Sequence, residues 1–74
     1  MVRYQNRGRN SNVYAYEIDN DRITVSFNGG GLYTYTYSSA GMTKVESMKH
    51  LARQGQGLNS FINRHAKFEY AMKH

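Results

Sequence analysis

Three successive stretches of the chain have the hydrophobic pattern of β-strands. Residues 12–18 (NVYAYEI) are rich in strand-forming side chains, 22–27 (RITVSF) alternate apolar with polar residues, and 32–37 (LYTYTY) alternate Tyr with Thr. Asp and Asn at 19–21 and Asn-Gly-Gly-Gly at 28–31 separate these stretches, and such residues accept the backbone angles of tight turns. The pattern predicts a three-stranded antiparallel meander.

After the third strand, the spacing of the apolar residues changes to that of an α-helix. Thr43 and Glu46 have the spacing of a capping box, in which each side chain bonds a free backbone N–H at the helix start. Apolar residues follow at helical spacing, and Gly55 is typical of a helix end. A second helical stripe covers 58–65, and residues 66–74 either extend that helix or cross the sheet as a tail.

A three-stranded sheet must bury one face, and the two amphipathic helices can cover it. The predicted fold is therefore α+β, a three-stranded antiparallel meander followed by two α-helices packed on one face (βββαα), in a single domain over 11–74. The covered face should hold the apolar and aromatic positions Tyr16, Ile18, Ile23, Val25, Phe27, Tyr33 and Tyr35. The opposite face should hold Glu17, Thr24, Ser26, Thr34 and Thr36.

The first ten residues lack any apolar period. They carry three arginines (Arg3, Arg7 and Arg9) together with Asn, Gln and Gly. Residues 1–10 are therefore predicted to be a flexible basic N-terminal arm.

The order of these elements resembles the KTSC domain. The motifs that carry the resemblance are Ser11-Asn12-Val13, Asp19, the ITVSF strand 23–27, Gly29 to Gly31, Tyr33-Thr34-Tyr35, and Gly55-Gln56-Gly57-Leu58-Asn59-Ser60-Phe61-Ile62. The family takes its name from a domain at the C-terminus of some lysyl-tRNA synthetases and also occurs as small single-domain bacterial proteins. The resemblance implies RNA binding, a role suggested by that association. The chain departs from the family at 38–40, where a Val-Pro is common, and at Arg53, where a small residue is common.

Composition narrows the class of protein. The chain has 74 residues, no Cys, ten Lys and Arg, and five Asp and Glu, for a net charge of +5. The absence of Cys excludes disulfides and Cys-ligated zinc, and no apolar run approaches the roughly 20 residues of a membrane span. We expect a cytoplasmic protein without membrane contact. So small a core is marginal alone, and a partner or a homodimer would stabilise it.

The excess of positive charge points to an acidic partner, with RNA or single-stranded nucleic acid first. Lys49 with Arg53 and Arg64 with Lys67 each share one face of a predicted helix. Ordinary solvated helix faces are the competing interpretation. The predicted nucleic-acid-binding residues are Arg7, Arg9, Lys49, Arg53, Arg64 and Lys67.

Catalysis and cofactors are not predicted. His50, His65 and His74 have no metal-ligand spacing, and His65 beside Arg64 has no second acid or base to complete an RNA-cleaving pair. The Gly55–Gly57 segment can offer N–H groups to an anion, but a helix connector is favoured. The tyrosines are interpreted as core residues rather than a stacking platform, because Tyr33 and Tyr35 share a face with Ile23 and Val25. The predicted protein is a non-catalytic binder without metal or cofactor.

A second function class stays open. A small basic domain can also bind an acidic protein surface, as a protein–protein interaction module or as a phage or mobile-element type of inhibitor of a host protein or nucleoprotein complex. Its docking surface would be the Thr and Ser face of the sheet or an unpaired edge strand.

Overall fold

The computed structural model describes residues 1–74, and its centre is one antiparallel sheet of five strands. The strands lie in chain order across the sheet: β1 (Val2–Arg3), β2 (Val13–Asp19), β3 (Arg22–Phe27), β4 (Leu32–Thr36) and β5 (Met72–Lys73). The helices are α1 (Tyr37–Ala40), α2 (Met42–Gln54) and α3 (Leu58–Phe61), and a π-helical turn (Ile62–Ala66) continues from α3. None of these helices has the length and apolar character that crossing a bilayer requires.

The α+β class holds, but the predicted βββαα architecture is wrong. The meander β2-β3-β4 is present, and it is extended at both edges by two-residue strands, with β1 paired to β2 and β5 paired to β4. Three helices and the π-helical turn replace the two predicted helices. Strands of two residues are too short to show a hydrophobic period, so the sequence pattern could not reveal them.

The N-terminal segment belongs to the fold rather than extending from it as an arm. Val2 lies opposite Tyr16 in the sheet, and the Tyr4 side chain is only 4 % exposed. The Leu58 N–H at the start of α3 donates to the Tyr4 hydroxyl at 3.2 Å, and the Arg7 N–H donates to the Gly55 carbonyl at 2.8 Å. The first ten residues therefore join the sheet edge to the helices.

The helices cover the sheet face that the alternation predicts. Ile23, Val25 and Tyr35 are at most 1 % exposed and pack with Val45 and Met48 of α2. A β-bulge lies between Val13 and Ala15 in β2. It brings Val13 and Tyr16 to the same core face, although their odd separation would place them on opposite faces of a regular strand. On the other face, Thr24 and Thr34 are joined by a 3.0 Å bond between their hydroxyls.

The helix boundaries are set by glycines and by a different cap from the predicted one. The predicted capping box at Thr43 is absent, since α2 begins after Gly41 with no side-chain cap. Thr36 and Ser39 form a capping box instead, at the start of α1. Gly55 ends α2 with a left-handed φ of 78°, as the sequence predicts.

Replacing Gly55 by alanine should destabilise the fold more than the same change at Gly29. Both glycines have a left-handed φ, 78° and 85°, so each substitution carries a conformational cost of about 1–2 kcal/mol. A Cβ at Gly55 would also lie 2.6 Å from the Gln5 Cβ, whereas a Cβ at Gly29 meets nothing within 4 Å. Urea unfolding of the two variants measures the difference. Equal losses would contradict the close docking of the N-terminal segment on α2.

Candidate nucleic-acid interface

The charged residues are distributed unevenly between the two ends of the sheet. The β2–β3 turn at one end carries Asp19 and Asp21, and Glu17 precedes it on β2. The Tyr37 N–H donates to the Asp21 carbonyl at 3.0 Å, so α1 begins at this end as well, and the Tyr37 hydroxyl donates to Glu46. We call Glu17, Asp19, Asp21 and Glu46 the acidic end.

Three of the five acids hold basic residues in ion pairs. The pairs are Asp21 with Arg22 at 3.0 Å, Glu69 with Lys44 at 2.6 Å, and Glu46 with Lys49 at 2.8 Å. Arg22 keeps the pKa of the Asp21 carboxyl below its usual value, mainly through their side-chain hydrogen bond. The basic residues outside these pairs are Arg3, Arg7, Arg9, Arg53, Arg64, Lys67 and Lys73.

Two of these free cations, Lys67 and Lys73, line a cleft at the other end of the sheet, where the β3–β4 turn is found. The Asn28 N–H in that turn donates to the Asn12 carbonyl at 2.8 Å, so the β1–β2 connection that carries Arg7 and Arg9 reaches this end. Asn63 and Lys67, from the π-helical turn and the residue after it, line one cleft with Asn28. We call this region the basic end: Lys67 and Lys73 line its cleft, Arg64 follows Asn63 in the chain, and Arg7 and Arg9 belong to the β1–β2 connection.

Lys49, a predicted site residue, is buried, and its ammonium group is bonded within the protein. Its side chain is 6 % exposed, and its ammonium donates to the Asn20 carbonyl at 2.7 Å as well as bonding Glu46. The hydrogen bond to Glu46 raises the pKa of Lys49, and the same bond lowers the pKa of Glu46. Lys49 therefore joins α2 to the β2–β3 turn and is not available to a phosphate.

Arg53 is exposed but lies apart from the basic end. It borders a depression with Val2, Glu17 and Ile18 on the β1 side of the sheet, whereas Lys73 lies on β5 at the opposite edge. Of the six predicted residues, Lys67 lines the cleft at the basic end, Arg64 follows the lining residue Asn63 in the chain, and Arg7 and Arg9 lie on the connection that reaches this end. Lys49 and Arg53 lie elsewhere.

An open cleft of about 380 Å³ lies at the basic end, between the sheet and the π-helical turn. Its volume is within the roughly 300–1,000 Å³ range of small-ligand sites. Helical π turns are rare and frequently occur at functional sites. The cleft contains no acidic side chain; its lining side chains are five aromatic rings (Phe27, Tyr33, Tyr35, Phe68 and Tyr70), four asparagines (Asn12, Asn28, Asn59 and Asn63), Lys67, Lys73 and Ile62.

The aromatic rings of the cleft form an edge-to-face cluster. Tyr33 contacts Phe27 and Tyr70 with ring centroids 5.3 and 5.1 Å apart, and Tyr35 lies 6.5 Å from Tyr70. The ammonium groups of Lys67 and Lys73 lie 5.5 Å from the rings of Phe68 and Tyr33 respectively. Cations at this distance are attracted to the ring faces, so the two lysines are held beside the rings.

Tyr35 is the deepest ring, and its hydroxyl opens into the cleft. The residue is 1 % exposed, no protein group bonds its hydroxyl, and the protein has no buried side-chain oxygen without a partner. The Tyr35 oxygen must therefore reach solvent through the cleft that it lines. Burial, together with Tyr33 and Tyr70 nearby, raises the pKa of Tyr35 to about 12.

The raised pKa of Tyr35 should make the protein less stable in strong base. An unfolded tyrosine loses its proton near pH 10.0, but Tyr35 keeps its proton in the folded protein up to about pH 12. Below pH 10.0 the tyrosine is protonated in both states, so the free energy of unfolding keeps its full value. Between pH 10.0 and about 12 only the unfolded state is ionised, so the free energy of unfolding decreases as the pH rises. Urea unfolding across this interval should show the loss. The Tyr35→Phe variant should show a shallower decline, and an identical decline would contradict the assignment to Tyr35.

Sequence reasoning missed most of the cleft. Lys73, Phe68 and Tyr70 lie in the C-terminal segment, which the pattern left between a helix and a tail, and the pairing of β5 with β4 brings them to the sheet. The four asparagines are scattered between residues 12 and 63. The one usable signal was the Tyr and Phe content of a segment that carries Lys67 and Lys73.

Comparison with known proteins finds no relative of this chain. No protein-family model, curated protein or solved structure matches the chain.

Proposed function

We propose that the protein binds single-stranded nucleic acid, RNA first, through the basic end and without catalysis. The observation that carries the proposal is the separation of charge along the sheet. Three of the ten basic residues are paired with acids, and five of the remaining seven belong to the basic end. A surface with one sign of charge attracts polyanions and speeds their association.

The aromatic cleft at the basic end favours a single strand over a duplex. Aromatic side chains stack unpaired bases, whereas the bases of a duplex are already stacked and paired. Lys67 and Lys73 lie beside the rings and supply positive charge for the phosphates that flank a stacked base.

Fluorescence anisotropy with a labelled single-stranded RNA, titrated at several salt concentrations, tests this function. Each phosphate contact to a single strand contributes a slope of about −0.7 to the dependence of log affinity on log salt concentration, so five contacts give about −3.5. We expect a slope between these two values and weaker binding to a duplex of the same length. Absence of binding at low salt, or affinity that does not change with salt, would overturn the proposal.

The KTSC resemblance, the cytoplasmic location and the homodimer stay predictions that agree with this function but do not support it. The protein-interaction alternative keeps only part of its edge-strand docking surface, because β1 and β5 each pair with two residues of the outer strands of the meander. Both new edge strands have two residues, and short edge strands resist further pairing. The Thr and Ser face remains as the surface for that alternative, although Thr34 on it is only 5 % exposed.

A further inference from the structure

We infer that the aromatic cleft is a binding site for one nucleoside monophosphate unit with a purine base. The inference deepens the proposed function and rests on it for the source of the nucleotide, an unpaired residue of a single strand. It names which part of the nucleic acid enters the protein, and where. The same chemistry is present in a free nucleotide, so the test below includes both sources.

The aromatic lining of the cleft offers a surface for a planar base. Phe27 and Tyr33 enter the cleft from the sheet, while Phe68 and Tyr70 enter from the C-terminal segment. Phe68 is 79 % exposed, the highest value among the large hydrophobic residues. A planar base in the cleft would cover the Phe68 ring and remove its apolar surface from water. A purine has the larger face of the two base types and therefore covers more of this lining.

The lining also has unused hydrogen-bonding capacity. The side-chain amides of Asn12, Asn28, Asn59 and Asn63 make no hydrogen bond within the protein. Each amide offers two N–H donors and one carbonyl acceptor, and this combination matches the mixed donor and acceptor edges of a base. Asn63 is exposed and Asn59 half-buried, so both can change rotamer to meet a ligand.

The charge of the lining is positive. Lys67 and Lys73 are the charged residues of the lining, so an anionic group meets attraction without opposing carboxylates. A phosphate attached to the sugar of a bound base would stay within reach of these lysines at the rim. Rings, amides and ammonium groups thus correspond to the base face, the base edge and the phosphate of one nucleotide.

Titration of the ¹⁵N-labelled protein with adenosine 5′-monophosphate tests the inference. We expect shifts of the Asn28, Asn63 and Lys67 amide resonances, weaker binding of uridine 5′-monophosphate, and weaker binding of ribose 5-phosphate, which has no base. Phe68→Ala should weaken binding of the adenine nucleotide by about fivefold or more, the loss typical of one stacked base. Asn63→Ala should also weaken it.

Matched substitutions outside the cleft serve as controls. Tyr14→Ala removes another exposed ring, which is 45 % exposed on β2, and Asn10→Ala removes another exposed amide. Both variants should bind the nucleotide as the unchanged protein does. Equal binding of ribose 5-phosphate and the adenine nucleotide, or equal losses in control and cleft variants, would overturn the inference.

The proposed function and this inference fail in distinguishable ways. Salt-dependent binding of single-stranded RNA that is insensitive to Phe68→Ala, with no binding of the mononucleotide, overturns the inference and leaves the function. Binding of the mononucleotide in the cleft without any binding of RNA overturns the function and supports the cleft as a site for a free nucleotide.

Discussion

Replacing Tyr4 by alanine should lower the free energy of unfolding by about 3–5 kcal/mol, the usual cost of truncating a buried aromatic side chain. A protein of 74 residues has a total stability of only about 4–11 kcal/mol, so the substitution should remove a large fraction of it. Tyr4 is 4 % exposed, belongs to the core cluster, and accepts the Leu58 N–H. Urea unfolding followed by circular dichroism measures the loss.

The matched control is Tyr4→Phe, which keeps the ring and removes the hydroxyl. It should cost about 1–2 kcal/mol, because the Leu58 N–H then lacks its partner. Deletion of residues 1–10 should be at least as damaging as Tyr4→Ala, since it also removes β1 from the sheet. If the deletion leaves the unfolding midpoint unchanged, residues 1–10 are the independent arm that the sequence predicts.

Replacing Lys67 and Lys73 together by glutamine should weaken binding of single-stranded RNA by about 25-fold in 0.1 M salt. The estimate follows from losing two phosphate contacts, each worth a salt exponent of about 0.7. Both side chains are exposed and outside ion pairs, so stability should change little. The slope of log affinity against log salt should become shallower by about 1.4. Anisotropy titrations at several salt concentrations measure both quantities.

A control with the same change of net charge is Arg3→Gln together with Arg22→Gln. The register places both residues on the open face of the sheet, Arg3 opposite Ala15 and Arg22 opposite Thr36. The control should keep nearly all of its affinity, because these residues lie away from the cleft. Similar losses in the two double variants would mean that net charge alone, and not the basic end, attracts the RNA.

The meander was predictable because its signals are local. Strict alternation in β3 and β4 fixes which side chains face the helices, and the structure confirms burial of Ile23, Val25 and Tyr35. Gly55 was likewise predictable as the end of α2, since few other residues accept its left-handed φ. These features depend on neighbours in sequence, which a single chain displays directly.

The two edge strands and the cleft depend on contacts between distant parts of the chain. Nothing in the local pattern of Val2 or Met72 indicates that each would pair with the meander, because a two-residue strand has no period. Lys49 illustrates the same limit. Its spacing from Arg53 suggested a shared basic face, but Glu46 one turn earlier and the Asn20 carbonyl bind its ammonium. Counting charges could not separate a buried lysine from a free one.

The most direct test of the account is to map single-stranded RNA onto the protein by following every backbone amide in ¹H–¹⁵N spectra. The largest shifts should fall at the basic end, around the 28–31 turn, the π-helical turn and Lys73, with little change at Thr24 and Thr34 on the open face of the sheet. Shifts concentrated on that open face, or around Asp19 and Asp21, would contradict the claim that the free cations form the nucleic-acid interface.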